Sequence, residues 1–584
     1  MTDYRPPICD IRFVLERVLG FNRHPGLARF HVLDDDLVGA ILEEAGSFAA
    51  GVIAPLNAVG DQAGCRWSAD GSVTTPPGFV EAYRRYVEAG WGTLALPEEL
   101  GGQGLPHVLA TAVEEFMNSA CQAFTMYPGL THGAVDALRA AGSESLKAEY
   151  LPRLASGEWL GTMALTEPHC GTDLGLIATR AEPAPGGSFR ISGEKIFCSG
   201  GEQDLTDNII HLVLGRLPDA PAGSRGTSLF LVPKLLADGT RNAVTCTGIE
   251  HKMGLKGSAT CAMSFAGATG WLVGEPNGGL AAMFVMMNAA RLTCGNHGLA
   301  AAELAYQRAS SYARERRQGR APGMQPSGRS ADPIIVHPDV RRMLMDARAT
   351  TEGLRALIAW TALQIDVARH DRRVDERQWA AAVVGLLTPV IKAHGTDQGF
   401  ATAVAMQQVL GGHGYIAEWG MEQIVRDARV AMIYEGANGV QALDLAQRKV
   451  AKDGGQVAEL LFAMIERECA GAETELAFIA EPLADAIGEM REAAAMLVRA
   501  DPEELGAASY PFLQMLGISA IGWMWLRMAA ASIEERDDPF CAAKLVTARH
   551  YALRFLPDVA ALRRKVEAGA GTLMALPAEA FGAG

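Results

Sequence analysis

The sequence predicts a mainly helical protein with a small β-domain in its middle and an additional helical domain at its C-terminal end. Three observations lead there. Long stretches rich in Ala, Leu and Met, with few helix breakers, lie on both sides of the middle. Between about 160 and 275 the texture changes to short apolar runs bounded by turn residues. After Lys452-Asp453-Gly454-Gly455, which reads as a hinge, a further helical stretch follows.

At 584 residues the chain is too long for one core, and its length suggests about three to four domains. Residues 1–160 read as a helical domain with a short extension, its helices at 36–52, 77–90, 106–117 and 143–154 separated by turns such as Leu96-Pro97-Glu98-Glu99-Leu100-Gly101-Gly102. Residues 161–277 read as the β-domain. Its runs at 189–191, 195–197, 209–214, 227–232 and 261–265 are β-friendly, with Ser192-Gly193 between the first two, and an antiparallel sheet is expected. In residues 278–453 the segments 280–317, 340–371 and 379–410 are long and carry no proline but Pro389, which suits a four-helix bundle interrupted by a Pro/Gly/Ser loop at 319–338. Residues 454–584 read as helices with breaks at Pro482, Pro502 and Pro511, ending in an Ala/Gly/Pro-rich tail.

Composition narrows the function classes. The net charge of −15 disfavours nucleic acid as a partner. No run approaches ~18 uninterrupted apolar residues, so no membrane span is expected. Asp3, Asp10 and Glu16 surround a short apolar patch, unlike a signal or transit segment, so the expected location is cytoplasmic. Ten cysteines lie scattered from Cys9 to Cys541 without C-x-x-C spacing, which argues for reduced thiols and against structural zinc; no metal ligands are assigned.

Chemistry concentrates in a few segments. Met432-Ile433-Tyr434-Glu435-Gly436-Ala437-Asn438-Gly439 puts one carboxylate between a tyrosine and a glycine turn in apolar surroundings. Stripped of water it would be a stronger base, although a solvated helix-end Glu is the simpler reading. Leu165-Thr166-Glu167-Pro168-His169-Cys170-Gly171-Thr172-Asp173 forms a loop whose hydroxyls and N–H groups could face a flat polar ring. Lys195-Ile196-Phe197-Cys198-Ser199-Gly200 runs an aromatic into Ser and Gly, where core is the commoner fate of the ring. Arg314-Glu315-Arg316-Arg317-Gln318-Gly319-Arg320 suits a solvated helix end and a phosphate site equally. Gln408-Val409-Leu410-Gly411-Gly412-His413-Gly414-Tyr415 would let backbone approach a phosphate, or serve only as a tight connection. Met283, Phe284 and Met287 could help line a dry pocket but read more readily as bundle core.

Together these segments resemble the acyl-CoA dehydrogenase family. The Thr166-Glu167-Pro168 loop, the 195–200 strand, the 313–318 helix end, the 411–415 turn and Tyr434-Glu435-Gly436 occur in the family's order, and the likeness covers about residues 40–450. The extension, Gln318-Gly319-Arg320 and the helical tail look most like the long subgroup that includes 3-methylmercaptopropionyl-CoA dehydrogenase.

The resemblance implies an N-terminal helical domain, a middle β-barrel, a four-helix bundle and FAD as cofactor. It places Glu435 as the base that removes the α-proton of an acyl thioester. Some members carry that base just before the position of Arg291, but here that residue is Ala290. Arg291 is implied as a cation near the base. Leu165, Thr166, Phe197 and Ser199 match flavin contacts, and Thr172 matches a hydroxyl near the flavin and CoA phosphates. Arg316, Gln318, Gln408 and Gly412 match residues that reach the cofactor of a neighbouring subunit, which implies at least a dimer, expected to be a homodimer; Gly411 is a further cofactor-binding candidate. Ala437 replaces the usual Thr or Ser, and Asn438 and Gly439 are expected to take over its contact; Asn288 stands where an acid is frequent.

The expected reaction is α,β-dehydrogenation of an acyl-CoA to its trans-2-enoyl product, with electron-transfer flavoprotein as acceptor. Glu435 N–H and a flavin hydroxyl would bind the thioester oxygen, each worth ~3–4 kcal/mol as in other oxyanion sites. A short chain is favoured, 3-methylmercaptopropionyl-CoA of dimethylsulfoniopropionate catabolism among them. Medium- or long-chain dehydrogenases and oxygen-using acyl-CoA oxidases stay open as alternatives. A nitroalkane oxidase, which uses Asp as base, and a non-catalytic scaffold fit less well.

Overall fold

The 14-residue strand β9 (Thr260–Val273) organises the middle of the chain in the computed structural model, which describes residues 4–320 and 330–582. Along its length β9 pairs with β5 (Phe189–Ser199), β8 (Val244–Ile249) and β7 (Ser228–Pro233), all antiparallel. The full order is β3 (Leu160–Ala164), β6 (Ile209–Gly215), β7, β9, β5, β4 (Arg180–Pro183), with β8 added on β9. The sheet is therefore not purely antiparallel, because β3 runs parallel to β6. Ser192-Gly193 is also not a turn: β5 continues through it as one 11-residue strand, with a register shift at that point. A two-stranded ribbon, β1 (Arg66–Trp67) with β2 (Val73–Thr74), lies in the segment expected to be helical.

This sheet belongs to a unit comprising Glu44–Pro106 and Phe116–Thr293. Alternation builds its two cores. Ile210, Leu212, Leu214, Leu229 and Leu231 face one way, onto Leu138, Leu151 and Leu154 of the N-terminal helices. Val213, Phe230 and Val232 face the other way, onto Cys246, Cys261, Met263 and Phe265. Met283 and Met287, with Phe284 at the edge, join the first of these cores, so they pack with sheet rather than as bundle core. The helix expected at 106–117 reaches its break at Cys121 (φ −160°, ψ 92°), beyond which helix continues to Ala141.

The second unit comprises Met1–Glu43, His107–Glu115 and Cys294–Gly584. Its long helices are Gly279–Glu315 (from Cys294 onward), Pro338–His370 and Val374–Val409. The first and third cross at glycines: a Cβ on Gly298 would lie 2.4 Å from Gly395 O, and one on Gly399 would lie 2.3 Å from Gly298 O. Met421–Arg429 completes the bundle, and residues 321–329 of the expected 319–338 loop lie outside the described residues, as does Asp3. The C-terminal segment adds helices Gln456–Ala470, Ala477–Arg499, Pro502–Ala530, Pro539–Arg554 and Asp558–Glu567.

Prolines break this segment less than expected. Pro502 starts a helix capped by Asp501, whereas Pro482 and Pro511 lie within helices. Burial of Ile479, Leu483, Phe512, Leu513 and Leu516 outweighs the lost backbone bonds. A buried charge network ties the unit together. Arg355 binds Glu115, Glu303 and Asp10, while Lys544 binds Asp10 and Glu352. Burial pushes Glu115 up to about 7.

The stretch Asp35–Ala63 is long and apolar enough to cross a membrane by length and composition. Its buried residues Val38, Leu42, Ala45, Ala49 and Ile53 form one stripe, while Asp36, Glu43 and Glu44 are exposed, the pattern of a surface helix.

Candidate functional site

In the sheet-bearing unit, five of the predicted residues share one neighbourhood. Lys195, fully buried on the inward face of β5, donates to Leu165 O (3.0 Å) and to the Glu167 carboxylate (2.8 Å). Glu167 also accepts from Ala178 N, Thr179 N and the Thr179 hydroxyl. Lys195 beside it helps hold Glu167 below the usual carboxylate range against the opposing effect of burial. Ile196 N donates to Thr166 O at 2.9 Å, so the 165–167 loop is stitched to the strand.

Between Lys195 and Cys198 the β5–β9 register shifts, and Phe197 takes a left-handed φ of 57°. The residue is 58% exposed, so it is not core. Leu165, Thr166 and Ser199 are half-buried and Thr172 is exposed. Glu167, His169 and Cys170 also have possible ligand atoms within 4.8 Å of one another. The ammonium of Lys195 on Glu167 opposes a metal ion there. Arg291, also in this unit, donates to Asn288 Oδ1 (3.3 Å) and lies 5.8 Å from the Phe284 ring centroid.

The bundle unit holds the rest. Glu435 is half-buried in left-handed backbone, φ 53°, a conformation that costs a non-glycine residue ~1–3 kcal/mol. Buried side chains hold it there. Gln441 Nε2 donates to Glu435 O (2.9 Å), and Lys392 Nζ, fully buried, donates to Gly436 O (2.7 Å) and Asn438 Oδ1 (2.8 Å). On the other side Tyr434 hydroxyl lies 2.6 Å from His297 Nδ1, and burial pulls His297 down to about 4, so the ring is neutral.

Asn438 does not replace the missing hydroxyl of position 437. Its amide nitrogen is committed to Ala393 O, Thr396 Oγ1 and Asp397 Oδ1 inside the protein.

Arg316, Gln318, Gln408, Gly411 and Gly412 are all exposed. Backbone bonds from Gln318 N to Asp332 O and from Asp332 N to Gly319 O fix the chain after Arg316, and Gln318 O accepts from His337 Nε2. Tyr312 hydroxyl lies 2.9 Å from His413 Nδ1, and the His413 ring stacks on Trp419, which joins the helix end to the glycine turn.

Taken unit by unit, the two groups suit different parts of FAD. An exposed aromatic with adjacent hydroxyls and backbone suits a flat ring system. A guanidinium, two carboxamides and a glycine turn suit a diphosphate, and Gly411 and Gly412 have open space where a Cβ would stand.

Sequence reasoning missed both lysines and His297. Period-two alternation places Lys195 inward with Ile191, and Lys392 is the one Lys, Arg, Asp or Glu between Arg377 and Asp397. Either signal could have flagged a buried cation with a local task.

Comparison with known proteins identifies the family. Family models for the acyl-CoA dehydrogenase N-terminal, middle and C-terminal domains match residues 39–158, 162–268 and 277–450. A fourth, "Acetyl-CoA dehydrogenase C-terminal like", matches 461–577. The 3-methylmercaptopropionyl-CoA dehydrogenase of Ruegeria pomeroyi is 42% identical over 583 residues, spanning 96% of this chain and 98% of that protein. The broad-specificity linear acyl-CoA dehydrogenase of Mycobacterium tuberculosis is 35% identical, spanning 100% of both. Caenorhabditis elegans ACDH-11 in complex with C11-CoA shares the fold, with TM-score 0.77 at 18% identity over 95% of this chain and 93% of that one. With these domains matched over most of its length and such relatives spanning nearly all of it, the chain belongs to the acyl-CoA dehydrogenase family.

Proposed function

We propose that Glu435 is the base of this FAD-dependent acyl-CoA dehydrogenase and that its substrate is a short acyl-CoA, foremost 3-methylmercaptopropionyl-CoA, giving methylthioacryloyl-CoA. The observation that carries the base assignment is the strained backbone of Glu435, held by Gln441 at its own carbonyl and by Lys392 at the next. Strain that surrounding structure over-determines clusters at functional sites. Glu435 takes the α-proton onto its carboxylate, while its backbone N–H donates to the thioester oxygen as charge builds there. FAD, when bound, supplies the acceptor for the β-hydride and a second donor to that oxygen. His297, held neutral, orients the Tyr434 hydroxyl beside the turn.

Leu165, Thr166, Phe197 and Ser199 are the proposed flavin contacts and Thr172 a phosphate contact. Arg291 is the second catalytic candidate, on family resemblance. Arg316, Gln318, Gln408, Gly411 and Gly412 are proposed to serve the cofactor of a partner subunit in a homodimer. Support comes from their common exposure, which Tyr415 (84% exposed) and Ile416 (47%) share just after the glycine turn. Electron-transfer flavoprotein is the proposed acceptor, the location is proposed as cytoplasmic, and the four domains as 1–160, 161–277, 278–453 and 454–584. The substrate rests on the Ruegeria relative; the Mycobacterium relative supports a second reading, a broader range of linear chains.

The test is turnover of purified protein with butyryl-, octanoyl-, palmitoyl- and 3-methylmercaptopropionyl-CoA and an artificial electron acceptor. A higher kcat/KM for the sulfur-bearing or butyryl thioester is expected, and preference for palmitoyl-CoA overturns the substrate assignment. Glu435→Gln should lose at least about a thousandfold in kcat, beyond the ~10²–10⁴-fold range only if the oxyanion donor also moves.

A further inference from the structure

The C-terminal helices reach the Glu435 turn through a continuous line of hydrogen bonds within one unit. Tyr510 hydroxyl and Gln514 Nε2 (2.7 Å), both on helix Pro502–Ala530, donate to Asp397 Oδ2 on helix Val374–Val409. Asp397 Oδ1 accepts from Asn438 Nδ2 at 2.8 Å. Asn438 Oδ1 accepts from Lys392 Nζ, which also donates to Gly436 O, the carbonyl next to Glu435.

The line has a fixed polarity. A carboxylate only accepts, so Asp397 dictates that Asn438 turns its amide nitrogen inward and its oxygen toward Lys392. Gln514 is oriented in the same way, because its Oε1 lies 2.6 Å from His394 Nδ1, which must then be the donor. The two helices are close enough for this because Gly517 lacks a side chain: a Cβ there would lie 2.3 Å from the His394 ring.

We propose that Asp397 is a positioning residue for Glu435 and that Tyr510 and Gln514 make the C-terminal helical segment part of the machinery that sets proton abstraction. The inference rests on Glu435 being the base. A turn that holds its left-handed backbone through Lys392 and Asn438 loses its bearings when the carboxylate behind them drifts, and small misplacements of a base cost rate rather than affinity.

The experiment uses the full-length holoenzyme carrying Tyr510→Phe and Gln514→Ala together. A fall in kcat of about tenfold is expected, with KM and bound FAD unchanged, and a larger isotope effect with α-deuterated substrate as proton removal becomes limiting. Asp397→Asn, which keeps an acceptor oxygen, should retain more kcat than Asp397→Ala. Tyr551→Phe removes a buried hydroxyl of the same segment that donates to Ile518 O, and should leave turnover intact. Wild-type kcat and isotope effect in the double variant overturn the proposal, as does an equal loss in Tyr551→Phe. If the double variant does not fold, Tyr510→Phe alone is read: a two- to threefold fall supports the proposal and wild-type turnover overturns it. Full activity of Glu435→Gln would sink the base assignment itself. An inactive Glu435→Gln beside a fully active double variant would sink only the role of Asp397.

Discussion

Lys195 in one unit and Lys392 in the other, both fully buried, do the same mechanical job with different partners. Lys195 ties a loop to the strand carrying Phe197, and Lys392 ties a turn to the helix behind Glu435. Each stands beside a non-glycine residue in left-handed backbone, φ 57° for Phe197 and 53° for Glu435. Each donates to one backbone carbonyl and one side-chain oxygen. The second oxygen differs. For Lys195 it belongs to the carboxylate of Glu167, and for Lys392 to the amide of Asn438. The first arrangement is an ion pair whose carboxylate ends on the donors of Ala178 and Thr179. The second passes its polarity onward, through Asn438 to Asp397. One anchor is local and the other is a relay.

That difference predicts unequal damage. Lys195→Met leaves the Glu167 carboxylate buried without its cation, and breaking a buried pair from one side costs about 3–5 kcal/mol. Thermal unfolding should show that loss, together with poor FAD retention. Adding Glu167→Gln should recover part of the stability, since the orphaned charge is then gone. A Lys195→Met variant as stable as the parent would show that the pair is not an anchor.

Acid should separate the two regions as well. His297, against Tyr434, is held at about 4 rather than 6.5 because it is buried. The unfolded chain therefore binds a proton below pH 6.5 that the folded chain refuses, and stability falls as pH drops from 6.5 to 4, by about 3 kcal/mol in all. Glu167 has a profile of the same sign in a more acidic window. Its carboxyl is depressed below 4.5, so its contribution persists above that value and is lost only as pH falls through its folded pKa. Hydrogen exchange across 434–436 should thus rise on acidification before exchange across 165–179 does. His297→Gln should flatten the first profile and leave the second alone.

How much of this was readable beforehand follows the same division. Helix periodicity located the long helices, and short β-friendly runs located β5, β6, β7 and part of β9. The resemblance then supplied FAD and the candidate residues. Glu167 was visible as a letter in a loop, but its burial on Lys195 depends on β5 continuing through Gly193, which local turn chemistry argued against. The parallel pairing of β3 with β6 is a long-range event with no local signature. Pro482 and Pro511 misled for a related reason, since local breakers yield where enough apolar surface is buried around them. Asn438 misled in the other direction. It looked available for a ligand, and only three-dimensional packing shows it spent on Ala393, Thr396 and Asp397.

The relay anchor should fail more gently and more specifically. Lys392→Met removes a donor from Gly436 O and Asn438 Oδ1, and unsatisfied neutral acceptors cost about 1–3 kcal/mol, less than an orphaned charge. Turnover should fall further than stability, because the Glu435 turn loses one of its two fixings. A matched fall in kcat and melting temperature, equal to that of Lys195→Met, would erase the distinction between anchor and relay.

The smallest effect tests what the two anchors share. Left-handed backbone costs a residue with a Cβ roughly 1–2 kcal/mol, and glycine escapes it while giving back about 0.5–1 kcal/mol in unfolded-state entropy. Phe197→Gly and Glu435→Gly should therefore each leave the apoprotein unchanged or up to about 1 kcal/mol more stable, since Phe197 is 58% exposed and gives up little burial. Glu435→Gly should do so with its turnover abolished. Equal gains in chemical denaturation would mean that both turns are strained for function and held by their lysines against that strain. A loss at either position would mean that the side chain there, rather than the buried cation behind it, is what holds the turn in place.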